Sequence, residues 1–247
     1  MAYTTGQPII GEVDLYKSTT APTGGNYCGQ LLYGAQGKAF RYVKAGELLV
    51  VGNVLQSAVL STQFDDMAVA TNIALQTNTE ITPLVITNGT VVLVSGELAG
   101  ATLEVSVTPG LGDEYTIVAN SAAGSGAALS LTLDRPIRTA LTSAASKVTI
   151  RRNPWFGVIQ SPATTLTGET AGVAIFAIAS GEYGWVQTHG VGAVLSDGSS
   201  ILAGSPVAVP SGTAGATILG AGGLKTIGQA MRAGASGKTI PVLLSID

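Results

Sequence analysis

Charge is the scarcest property of this sequence. Only 11% of its 247 residues are charged and 5% are aromatic, although 46% are hydrophobic. An ordinary domain carries about 25% charged residues, so Thr, Ser, Asn, Gln and Gly must cover most of this surface. Sparse charge weakens two defences against association: net repulsion and charged edge strands that block sheet pairing. We therefore expect an oligomer or a lattice to cover part of the surface.

Cysteine and histidine each occur once, as Cys28 and His189. A single cysteine excludes an internal disulfide and a cysteine-based metal cluster, and a single histidine excludes a two-histidine metal site. Residues 234–239 end like a phosphate loop, but Arg232 stands where that motif needs glycine, and residues 240–246 read as a strand instead of the required helix. We expect no enzymatic activity, no cofactor and no metal.

Long hydrophobic runs are also missing. The best run, residues 171–179, ends at Ser180 and is far shorter than the roughly 20 residues of a spanning helix. The first residues lack the basic start and apolar core of a secretory signal. The expectation is a protein made in the cytoplasm, without a membrane partner.

The charges that are present divide unevenly along the chain. Residues 1–134 hold 4 basic and 11 acidic side chains, whereas residues 135–247 hold 8 basic and 4 acidic ones. The sequence pI is about 5.1, and no dense basic patch with interleaved aromatics supports nucleic-acid binding. A charge-complementary protein neighbour fits this distribution better.

Short β-branched runs between glycine and proline turns predict an all-β fold of barrel or sandwich type. Residues 39–45 alternate as a half-buried strand should, and the runs at residues 48–51, 90–94 and 102–107 are further predicted strands. From Leu84 onward, turn signals recur at the spacing typical of such folds. Residues 129–133 alternate between leucine and Ser or Thr, which predicts one dry and one wet face. Helix is expected to be very minor, with residues 64–72 and 226–233 as its two candidates.

The positions of glycine and proline, which interrupt strands, divide the chain into three predicted parts. Residues 1–30 are rich in glycine and proline and read as an extended N-terminal arm. A faint likeness between the turns near Ala45 and Ala203 suggests that residues 31–83 and 154–247 form one β domain. Residues 84–153 would then be an inserted, sandwich-like β domain.

A basic group is the first candidate contact with a partner. It lies in a stretch without acids between Asp134 and Glu169, and its interface candidates are Arg135, Arg138, Arg151 and Arg152. Arginine makes charge-assisted contacts to carboxylates and is enriched at protein interfaces. A solvated face without a partner is the alternative.

Apolar and aromatic side chains supply the other candidate contacts. Ile9, Ile10 and Tyr16 stand in the predicted arm, which could lie across an adjacent subunit. Trp185 is either a core anchor or a residue that packs across a subunit boundary.

Several short phrases, at residues 1–6, 40–47, 112–120, 184–187 and 227–230, resemble those of tailed-bacteriophage capsid decoration, or cement, proteins. The resemblance implies a β-rich virion protein, often a trimer, on the outside of the head. It also implies that the partner is the major capsid protein, whose neighbouring subunits such a protein bridges and stabilises. No binding residue of the family can be carried over by position.

Three other functions remain open. A head or tail fibre module would recognise the host surface, commonly through aromatic-rich loops. A β-rich polysaccharide hydrolase would need two paired carboxylates in a cleft. A major tail or head-completion protein would differ from a decoration protein in its copy number in the virion.

Overall fold

The computed structural model of the chain describes residues 15–59, 61–77, 82–198 and 200–247. Two single-turn 3-10 helices lie at Ala35–Gly37 and Thr62–Phe64. Within the described residues the strands, numbered β1 to β16 in chain order, span Leu31–Tyr33, Ala39–Ala45, Val54–Gln56, Met67–Ala68, Leu84–Thr87, Thr102–Val107, Glu114–Asn120, Ala128–Leu133, Lys147–Arg151, Phe156–Gln160, Thr170–Ala174, Tyr183–Ser196, Pro206–Val209, Ile218–Leu219, Lys225–Ala230 and Lys238–Ser245.

The all-β prediction is confirmed, with 42% strand and 3% helix. Both candidate helices are wrong. Residues 226–230 belong to β15, which pairs with β13 on one side and β16 on the other, so sheet neighbours satisfy its backbone groups. In the other candidate, only Phe64 lies in a helical turn, and β4 follows it.

The chain divides into two compact units. Unit 1 comprises residues up to 60 together with residues 154–247, and unit 2 comprises residues 61–153. The sequence placed residues 61–83 in the first domain, whereas the structure places 61–77 and 82–83 in unit 2. The cause is strand pairing, because β4 pairs with β9 and Val69 bridges Ile86 in β5.

Unit 1 is organised around the long strand β12. Its N-terminal half closes a ring of five strands, in the order β2, β10, β3, β11 and β12, because β12 pairs back onto β2. The C-terminal half pairs with β16, which β15, β13 and β14 follow. A parallel bridge from Ser196 to Thr217 brings the end of this second group back to β12. One strand therefore belongs to two barrel-like groups.

Each group in unit 1 encloses its own apolar core. Val43, Leu55, Val158 and Val186 are among the buried residues of the five-stranded ring. The second group surrounds a separate cluster that includes Val194, Val207, Ile227, Ile240 and Val242. The strand β12 contributes to both cores, with Val186 in the first and Val194 in the second.

The predicted arm is wrong for residues 15–30, which pack onto unit 1. Leu15 is buried in the same cluster as Trp185, and the backbone of Thr19 exchanges two hydrogen bonds with Tyr183. Residues 1–14 lie outside the described residues. Burial of an apolar anchor and pairing with a strand hold the rest of this segment in place.

Unit 2 is a six-stranded antiparallel sheet in the order β4, β9, β6, β7, β8 and β5. The Val69–Ile86 bridge joins its first strand to its last, so the sheet closes on itself. Its core contains Leu129, Leu131 and Leu133, which confirms the predicted dry face of residues 129–133. Within this unit, the Asp65 carboxylate pairs with Arg151, and the guanidinium of Arg152 lies over the ring of Phe64. The two ends of unit 2 are therefore neighbours.

Candidate interaction surface

The four predicted interface arginines are held by groups of unit 2. Arg138 pairs with Asp113 at 2.8 Å, and Arg152 pairs with Glu97 at 3.1 Å. Arg151 pairs with Asp65, and Arg135 donates to the carbonyl oxygen of Glu114. Apart from Asp134, which lies 4.0 Å from Arg135, the acids that hold this basic group come from strands and turns that are distant along the chain, so the sequence did not show them beside it. The structure thus supplies intramolecular partners for the arginines that were expected to contact another protein.

The uneven charge along the chain does not reappear in the folded units. Unit 1 contains 7 basic and 7 acidic residues, and unit 2 contains 5 basic and 8 acidic residues. The basic stretch after residue 134 shares unit 2 with most of the acids of the first half of the chain. Exposed ion pairs of this kind contribute only about 0 to 1 kcal/mol each, so they orient the side chains more than they stabilise the unit.

Trp185 does not lie on the surface. Only 2% of it is exposed, and its ring centroid is 5.0 Å from that of Tyr42. The interpretation of Trp185 as a boundary residue is therefore wrong, and the core-anchor alternative is the one that the structure shows. Ile9 and Ile10 lie outside the described residues, whereas Tyr16 is exposed on unit 1.

The described residues offer little material for a chemical site. Among them, no three His, Cys, Asp or Glu side chains come together in a way that could hold a metal ion. The adjacent acids Asp65 and Asp66 bind Arg151 and the Ser106 hydroxyl, respectively. Strand β16 begins at Lys238, so the residues that end like a phosphate loop are followed by a strand and not by the helix that such a loop requires. No helix in the described ranges has the length and apolar character to cross a membrane.

Three tyrosines on the first described segment of unit 1 have exposed side chains. Tyr16, Tyr27 and Tyr33 are 54%, 67% and 72% exposed, and we call them the tyrosine surface. Large exposed aromatics are rare in this chain, because only 5% of its residues are aromatic. Tyrosine offers apolar area and a hydroxyl at a low cost in side-chain entropy, so it suits a protein interface.

The tyrosine surface is held on a well-bonded backbone. Around Tyr27, its amide donates to the side chain of Gln30 and its carbonyl accepts from the Gln30 amide. Tyr33 ends β1 and enters a hairpin that the Gly34 amide closes by donating to the Lys38 carbonyl at 2.8 Å. Gly37 has a φ of 71° in that hairpin, a conformation that glycine adopts without strain.

The charged residues that lie near these tyrosines in the sequence, within residues 15–46, are all basic. Residues 15–46 contain Lys17, Lys38, Arg41 and Lys44 and no acid. The guanidinium of Arg41 lies 4.7 Å from the Trp155 ring centroid and pairs with a carboxylate from the end of the sequence. The ammonium of Lys44 lies over two further aromatic rings. The segment itself contains no acid, and the acids that the fold brings to it include Glu182, which accepts from the Ser18 hydroxyl, and Asp247, which pairs with Arg41.

Cys28 lies beneath this region. Desolvation by burial raises the pKa of its thiol to about 11, although a backbone hydrogen bond and the charge of Lys44 act in the opposite direction. Burial likewise raises the pKa of Tyr183. A thiol with so high a pKa is protonated at neutral pH and is a poor nucleophile.

Sequence reasoning selected Tyr16 but missed Tyr27, Tyr33 and Lys38. The signal was present, because a glycine-rich stretch without acids holds three well-separated tyrosines. It was passed over because the segment was interpreted as an arm, in which exposure has no special meaning.

Comparison of the chain with protein-family models, with curated proteins and with solved structures gave no match.

Proposed function

We propose that this chain is a virion structural protein that binds the outside of a phage capsid and stabilises neighbouring capsid subunits. The tyrosine surface is the observation that carries the proposal. It presents exposed aromatic side chains on a folded β unit, where a partner can bind without first ordering a loop. The major capsid protein is the proposed partner.

Two further properties support this role. The protein is poor in charge over its whole length, which suits a molecule whose surface is partly covered in an assembly. The resemblance of its short phrases to those of decoration proteins points to the same place in the virion. Assembly into a homo-oligomer, with a trimer favoured, is part of the proposal.

Co-sedimentation with empty heads tests the proposed function. The heads are assembled from the major capsid protein encoded by the same phage genome, which is the partner that the proposal requires. The triple variant Tyr16→Ser, Tyr27→Ser and Tyr33→Ser should bind at least about tenfold more weakly, because interface aromatics commonly contribute more than 1 kcal/mol each.

The matched control removes equally exposed apolar side chains from unit 2. The triple variant Val92→Ser, Val94→Ser and Leu111→Ser changes residues that are 70%, 63% and 64% exposed, and it should bind like the wild type. Failure of the wild-type chain to sediment with heads would reject the capsid function.

The tyrosine surface also favours one alternative, a fibre module that recognises the host surface. Sugar rings and host proteins both pack against exposed tyrosines. Purified protein that binds host cells but not heads, and loses that binding in the triple tyrosine variant, would support this second function.

A further inference from the structure

Strand β1 is an open edge of unit 1. It is the first strand in the ten-stranded order and pairs with β2 alone, and no strand within the described residues lies on its other side. An open edge exposes amide and carbonyl groups that can pair with another extended chain.

The hydrogen-bond alternation shows which groups of β1 are available. The Tyr42 amide donates to the Gln30 carbonyl at 3.0 Å, and the Gly34 amide donates to the Lys38 carbonyl at 2.8 Å. In an antiparallel pair every second residue faces the partner strand. The amides and carbonyls of Leu31 and Tyr33 therefore point away from β2, toward the open side.

This edge is anchored to the core of unit 1 and carries one residue of the tyrosine surface. Leu32 is buried between the two positions that face the open side, in the cluster that contains Phe40 and Trp185. Tyr33 lies on the edge strand itself and is 72% exposed. A chain that pairs with β1 would thus gain backbone hydrogen bonds and an aromatic contact at the same place.

The charge of the region selects the kind of chain. Arg41, opposite Leu31, is already paired with Asp247, whereas Lys38 lies beside Gly34 at the end of β1 and takes part in no ion pair recorded for the described residues. A second copy of β1 would bring a second Lys38 to the edge and no acid to pair with it, which opposes self-pairing. A partner segment with acidic side chains would meet complementary charge.

We propose that an extended, acidic segment of the capsid subunit adds to β1 as a further strand. Backbone bonds to Leu31 and Tyr33 give the added strand its affinity and register. A contact with the Lys38 side chain then favours acidic sequences. The inference rests on the proposed function for the identity of the partner.

The test is Tyr33→Pro, measured by co-sedimentation with the same heads. Proline removes the amide that faces the open side and leaves the bonds of β1 to β2 in place. Binding should weaken at least about tenfold, which is the fold-change for the loss of about 1.4 kcal/mol. The control Tyr33→Val also loses the ring but keeps the amide and a strand-forming side chain, and it should bind at least about threefold more tightly than Tyr33→Pro.

The variant Lys38→Glu covers the case in which Tyr33→Pro does not fold. It should bind less tightly than the wild type, and the difference should shrink as salt is added. If the wild type binds heads and folded Tyr33→Pro binds them with the same affinity, strand addition is rejected and the capsid function is not. If Tyr33→Pro does not fold, unchanged affinity in the lysine variant would overturn the proposal.

Wild-type protein that does not bind heads would overturn both strand addition and the capsid function. A dimer of the purified chain that Tyr33→Pro dissociates would show that a second copy occupies the edge.

Discussion

Trp185 and Tyr33 show how differently two large aromatic residues are used in unit 1. Trp185 is 2% exposed and Tyr33 is 72% exposed, although both stand on strands and both are flanked by apolar residues. The difference arises because residues 15–34 cover the outer face of β2 and β12, and Trp185 lies under that cover. The residue type alone therefore does not show whether an aromatic side chain is buried or exposed.

Replacement of Trp185 by alanine should lower the free energy of unfolding by about 3 to 5 kcal/mol, because it leaves a large cavity. Denaturant unfolding of the purified protein measures the change. Tyr33→Ala is the matched control and should change stability by less than about 0.5 kcal/mol. A loss below about 1 kcal/mol for Trp185→Ala would contradict the packing described for this cluster.

The thiol of Cys28 should react slowly with iodoacetamide and show a midpoint near pH 11, because burial raises its pKa to about 11 from an ordinary value of 9.0. The folded state holds the proton more tightly than the unfolded state does. The thiol's contribution to stability is therefore complete below about pH 9 and is lost as pH rises through about 11.

The rate of alkylation against pH is the measurement. The same protein unfolded in guanidinium chloride serves as the control and should show a midpoint near 9.0, the ordinary value of this thiol. Equal midpoints in the folded and unfolded protein would contradict the burial of this thiol.

At the scale of single elements, the sequence was most informative where a strand alternates or ends at a clear turn. Residues 39–45 and 102–107 were predicted as strands and form β2 and β6 with the same bounds. The runs at 48–51 and 90–94 were also expected to be strands. In the structure Leu49 and Leu93 make only isolated bridges, to Ile178 and Ala123, because local composition does not show whether a neighbouring strand is available.

The candidate surface was harder to predict, and the reason is also one of pairing. Arg138, Arg151 and Arg152 have no pairing acid near them in the sequence, but sheet formation brings Asp113, Asp65 and Glu97 to them. Conversely, Tyr33 gains its significance from the open edge of β1, which depends on the order of ten strands. Such information belongs to topology and is not present in a short window of sequence.

Gly228 lies inside β15, where a side chain has no space. A Cβ at this position would collide with the carbonyl oxygen of Leu243 on β16. Gly228→Ala should therefore lower the free energy of unfolding by more than about 1 kcal/mol, since a well-packed element relaxes poorly around added atoms.

Gly222 provides the matched control, since a Cβ there would meet no atom within 4 Å. Gly222→Ala should leave stability unchanged or raise it by up to about 1 kcal/mol through the unfolded state. Thermal unfolding of both variants gives the comparison. Equal stability of the two would mean that β15 and β16 do not approach as closely as the structure shows.

At the scale of the whole molecule, the closed sheet of unit 2 indicates that this unit can fold without the rest of the chain. Its core residues all come from within residues 61–153, and its two ends are held together by the contacts of Asp65 and Phe64 with Arg151 and Arg152. A unit that buries its own core and joins its own ends meets the requirements of a domain.

Residues 61–153 expressed alone should therefore fold and unfold in one cooperative transition. Amide chemical-shift dispersion and denaturant titration provide the measurement. The double variant Leu103→Ala with Leu131→Ala, at two fully buried positions, is the control that should abolish the transition. A fragment that shows no cooperative transition would place part of its stability outside these residues.

The ribosome completes the strands of the two units at different times during synthesis. Every strand of unit 2 has been made once residue 153 is added, whereas β2 must wait for β12 and β12 must wait for β16. A ribosome-bound chain long enough to expose only residues 1–180 should contain protease-resistant unit 2 and a digestible remainder. Translation thus imposes an order of folding, in which an internal segment matures while the chain on its N-terminal side still lacks its partners.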